Sequence, residues 1–304
     1  MRHVLSIISL LLAALLAAAA LAGGQVNQLL RSEEPVRGIA GSLPEDDDFA
    51  RSVTTTALDE LAGQLPGGVQ DYLPTDSVEG LLTPVISDAF TADRALAAWD
   101  EVLQTTRSDY TAQLEAIFES GTQGDVRELD IELNLTPVSE AMTEPLRESL
   151  HDALGWVPGV DLDSFDMIAP DIVLDIEAAT GETADPYTWA TVAVASQYWG
   201  AYAIGAAVLA LIGVLVGAGR IRWYAMASGG VVAAIIGLWM ATTVASPQFE
   251  PPPETPAAAV AILEHIQHQF TEWAQPAWWV FSALAGVVVL AGMLVGLLTP
   301  TRRR

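Results

Sequence analysis

Two groups of side chains in this 304-residue chain have the types and spacing that chemistry requires. Glu264, His268 and Glu272 recur at i, i+4 and i+8, so a helix carries them in one row with His265 beside them. Imidazole and carboxylate groups hold divalent metals, and histidine titrates near neutrality, so the row suits a metal ion or a proton sensor. It equally suits the wet face of a helix lying on a membrane surface. The second group is Asp161, Asp163 and Asp166, which follows Pro158-Gly159 and offers the clustered oxygens that calcium prefers. It lacks the glycine and the distal glutamate of an EF-hand loop, so a solvated capping role fits the same residues. Asp46, Asp47 and Asp48 form a third acidic run. Adjacent aspartates diverge on a helix, and this run better suits a helix N-terminus, where carboxylates cap free N–H groups.

Other chemistry is missing from the pattern. No nucleophile elbow, Walker loop, dinucleotide fingerprint, HExxH or kinase motif occurs, and His151 is the one histidine between the first and second apolar segments. The absence of cysteine excludes disulfides, thiolate zinc sites and thiol nucleophiles. The sequence therefore assigns no catalytic residue and no cofactor, and the expectation is a protein that is not an enzyme. A cell-wall-acting enzyme would need two carboxylates converging in a cleft. A net charge of −25 leaves no basic surface for nucleic acid.

The elements that must position these residues are membrane spans. Val4 to Ala22 is a long, largely apolar run, and 199–219, 223–245 and 277–298 are three more without a charged residue. The first reads as an anchor, with a cleaved signal peptide as the alternative reading of Ala20-Leu21-Ala22. Spans without charges argue against an ion pathway. Arginine placement predicts orientation, because short arginine-rich connections stay in the cytoplasm. Arg2, Arg220, Arg222, Arg302, Arg303 and Arg304 fall on one side with no acid among them. The other side holds seven arginines and all 38 carboxylates. Trp189, Trp199, Trp223, Trp278 and Trp279 lie near predicted span ends, as interfacial rings do. Gly213 and Gly217, like Gly292 and Gly296, read GxxxG, which serves packing among the last three helices or a dimer seam.

The long acidic region carries its own pattern. A helix is predicted between Leu82 and Ser120, with Leu96, Trp99, Leu103, Tyr110, Leu114 and Ile117 as its buried stripe. Strict alternation predicts a strand over 128–135, and a similar pattern, with Val173 on the polar side, predicts one over 171–177, pairing parallel or antiparallel, with a helix through Val138, Met142, Leu146, Leu150 and Leu154 between them.

The expected class is an α-helical integral membrane protein with four transmembrane helices and a mainly α extracytoplasmic domain bearing a small two-stranded β element. Its parts are an anchor (1–22), an acidic extracytoplasmic domain (23–197) and a three-helix bundle (198–304) with an external loop (246–276) and a cytoplasmic tail. The element order, with Trp99-Asp100-Glu101 on the external helix and Leu135-Thr136-Pro137-Val138 after the first strand, resembles a group of uncharacterised actinobacterial multi-pass membrane proteins. The resemblance covers residues 1–245 and implies a plasma-membrane location in the cell envelope without implying a catalytic residue. The functional expectation is an envelope protein whose acidic domain binds a protein partner, an envelope component or a second copy of itself. A divalent-cation or pH sensor is the alternative from a different class. Membrane lipid is the one partner every reading requires.

Overall fold

The computed structural model describes residues 2–46, 93–120, 132–134, 136–138, 140–141, 173–175, 185–248 and 257–299. Apolar runs dictate its main feature, since a backbone in hydrocarbon must satisfy its own hydrogen bonds and a helix does so within one segment. Four helices are long and apolar enough to cross a membrane, so the protein is a helical multi-pass membrane protein. They are α1 (Arg2–Arg31), α5 (Trp199–Val216), α6 (Ile221–Trp239, continued by a π turn over Met240–Val244) and α7 (Ala257–Leu298). Outside the bundle lie α2 (Glu33–Ala40), a 3₁₀ turn (Leu43–Glu45), α3 (Asp93–Ser120) and α4 (Pro186–Ser196). The three-residue stretches β1 (Glu132–Asn134) and β2 (Val173–Asp175) run antiparallel, with Leu133 opposite Leu174.

In the bundle, α1 packs between α5 and α6, and α6 packs on α7. Small residues allow the approach. Gly213 and Gly217 face Leu10 and Ser6 of α1, and the Ser6 hydroxyl donates to the Gly213 carbonyl at 2.6 Å. Gly292 lies against the Trp223 and Ala227 backbone, and Gly296 against the Trp223 and Tyr224 side chains. Both GxxxG pairs are therefore filled within the chain, the first by the N-terminal helix. Trp278 is 1 % exposed and packs with Ala18, Ala241, Ala245 and Ala274. Its indole N–H donates to Gln25 at 2.8 Å, and Gln25 donates to the Ala274 carbonyl at 3.0 Å. Where the π turn disturbs the α6 ladder, Gln275 donates to the Ala241 carbonyl at 3.1 Å.

Two helices run further than composition suggests. α1 stays helical through Gly23 and Gly24 because that stretch packs on Trp199 and Ser196. α7 joins the predicted surface helix and the last span into one 42-residue rod through Pro276. The stretch before Pro276 is thus the continuation of the last span and not the separate helix that the sequence pattern suggests. Its apolar side is buried against the protein instead of lipid, with Leu263 buried and Phe270 and Trp273 packed in the Trp278 cluster. At the rod's other end Arg220 donates to the carbonyls of Thr299, at 2.5 Å, and Leu297, at 3.2 Å, a cation closing a helix C-terminus. Arg2, Arg220 and Arg222 thus share one end of the bundle, opposite α2, α3 and α4.

Candidate functional site

The end of the bundle that carries α2 to α4 is built by arginines. Arg31, in the last turn of α1, donates to Glu115 of α3 at 2.6 Å and to the Ser196 hydroxyl and Ala193 carbonyl of α4, both at 3.3 Å. Gln197 donates to the same Glu115 oxygen at 3.1 Å. Arg107 and Thr111 of α3 both donate to the Leu30 carbonyl, at 2.7 and 2.9 Å, so α3 caps the end of α1. Leu30, Leu114, Ile117, Ala190 and Ala193 form the apolar cluster beneath. α4 begins where Asp185 accepts from the Thr188 amide and hydroxyl, with Pro186 in the first turn. Those bonds, the hydroxyl's above all, hold the Asp185 carboxyl below the usual range despite some desolvation.

One turn further out, Arg37 of α2 forms a two-pronged pair with Asp100 of α3, both bonds 2.8 Å. Glu33 and Glu34 each lie 3.5 Å from the same guanidinium. The Arg37 hydrogen bonds, more than its charge, hold the Asp100 carboxyl low, and desolvation opposes them. The same pair pushes Arg37 above its ordinary value. The buried Trp99 indole donates to the Ala40 carbonyl at 2.8 Å, closing α2 at its C-terminus.

Past α2 the chain turns sharply, with Leu43 and Pro44 fully buried. This turn presents Ser42 and Asp46 to His265 on α7. His265 Nδ1 lies 3.0 Å from Asp46 Oδ2, and its Nε2 lies 3.3 Å from Ser42 Oγ. The histidine side chain is 12 % exposed and the aspartate 31 %. An ionised carboxylate only accepts, so Nδ1 carries the proton in this contact. In neutral imidazole the lone pair then sits on Nε2, facing the serine hydroxyl.

No family model, curated protein or solved structure matches the chain. Its site must be read from its own geometry.

The predicted row does not converge. His265 turns to Asp46, His268 pairs with Glu272 at 3.4 Å in the open, and Glu264 is exposed. Among the described residues no three metal-ligating side chains come together. Asp161, Asp163 and Asp166 lie outside the described residues, as do Asp47 and Asp48. Ser42 carries no signal in the sequence, since it lies 223 positions from its histidine.

Proposed function

We propose that this protein acts in a cell envelope, with the long acidic region outside the cytoplasm and binding a partner that presents positive charge. One observation carries the reading: three of the four described arginines on that side are spent internally. Arg31, Arg37 and Arg107 bind Glu115, Asp100 and the end of α1, and Arg94 alone stays exposed without such a role. The carboxylates of Asp93, Glu101, Asp109, Glu119 and Glu140 remain exposed. The arginine contacts organise the surface while the acids give it its sign, which favours a basic protein or envelope component over a second acidic copy.

The chain has no lysine, and this makes a clean test possible. A zero-length carboxyl-to-amine crosslinker cannot join two copies through their side chains, so adducts report other molecules. Applied to native membranes and read by mass spectrometry, it is expected to link acids of 93–140 to lysines of a partner. Yield should fall as salt rises from about 0.05 to about 0.5 M. Adducts absent at low salt, or insensitive to salt, would remove the proposal.

A further inference from the structure

We infer that Ser42, His265 and Asp46 form a serine nucleophile site that cleaves carboxylic esters. This goes beyond the binding role and does not depend on it. A serine–histidine–aspartate site is recognised by geometry and atom roles, with no fixed chain order. Those roles are present: Nδ1 faces the carboxylate and Nε2 faces the hydroxyl, at 3.0 and 3.3 Å. Contacts of this length are usual before substrate tightens a site. Each member is also held by something other than its partners. His265 stands on α7, whose lower part is fixed by Trp278 and Gln25. Ser42 and Asp46 flank a turn locked by buried Leu43 and Pro44 and by bonds from the Glu45 amide to Ser42 and the Asp46 amide to Leu43, both 3.0 Å. Gly41 is tied in as well, since a side chain there would strike the Arg37 carbonyl.

The chemistry closes with water alone. Ser42 Oγ attacks the ester carbonyl as its proton passes to His265 Nε2, and Asp46 stabilises the imidazolium through Nδ1–H. The tetrahedral adduct breaks its bond to the alcohol oxygen, which takes the proton from Nε2. Water then attacks the acyl-serine with His265 as base, releasing the carboxylic acid and restoring the hydroxyl.

The full chain in nanodiscs, treated with a fluorophosphonate, decides the matter. The expected result is one adduct on the peptide containing Ser42, absent in Ser42→Ala. His265→Gln and Asp46→Asn should slow its formation about 100-fold. Thermal unfolding of each variant by tryptophan fluorescence establishes that it is folded, and Ser42→Ala provides the comparison if the other two are not. p-Nitrophenyl acetate should show a burst equal to the protein present. No adduct at Ser42 in the native chain, or labelling as fast in folded His265→Gln, would overturn the assignment.

Discussion

The Arg37 and Asp100 pair shows how far a single contact reaches. Arg37 holds the charged form of Asp100, so the carboxyl titrates below the unfolded value of about 4. A depressed acid contributes stability above its unfolded pKa and loses it as pH falls through the folded one. Asp100→Asn should therefore lower the melting temperature slightly at pH 7 and make the decline below about pH 4 shallower than in the native chain. Parallel melts at pH 7, 4 and 3 would show it, and identical acid limbs would mean the pair contributes nothing. Because both side chains are partly open to water, the effect belongs with surface ion pairs, which are weak. In the sequence Asp100 is only an acid on the external helix beside the buried stripe, since the periodicity that identifies a stripe says nothing of an arginine 63 positions away. Trp99 was legible as a core residue for the opposite reason: a large ring at a stripe position is buried whatever covers it.

At the scale of helices, close packing around glycine sets the bundle. A methyl group on Gly292 would sit 2.7 Å from the Trp223 carbonyl oxygen and 3.0 Å from the Ala227 amide, both backbone atoms that yield only if α6 and α7 part. Gly292→Ala should cost about 1–3 kcal/mol, the range for overpacking a tight core. Gly286→Ala, which meets nothing within 4 Å, should match or exceed the native chain in stability. Equal melting temperatures for the two variants in detergent would contradict this packing. The glycine pairs could be picked out from spacing, but not the partner, because GxxxG announces close approach without naming the neighbour. The limits of α7 were illegible for a related reason. Pro276 marks a break in most helices, yet here tertiary packing on α1 and α6 carries the helix through it.

For the whole molecule, sidedness was the clearest feature of the sequence, since charge and apolar length are properties of composition alone. The structure brings Arg2, Arg220 and Arg222 to one end of the bundle, and the assignment of that end to the cytoplasm is a proposal from charge alone. The cysteine-free chain makes the assignment testable with single introduced thiols. Ser108→Cys, exposed on α3, should react with an impermeant maleimide on intact cells, and Ala218→Cys should react only in inverted vesicles. The reverse pattern would invert the topology. The joining of Ser42 and His265 lay beyond any reading of local pattern, because it depends on α7 standing upright and on the chain turning after α2. That upright helix has a mechanical corollary. At about 63 Å it is tied by Arg220 at its base and by Trp278 to Gln25 of α1 at mid-length, so α7 leans relative to α1 only by breaking that indole bond, and the alignment of His265 with Ser42 and Asp46 hangs on a contact about 20 Å away.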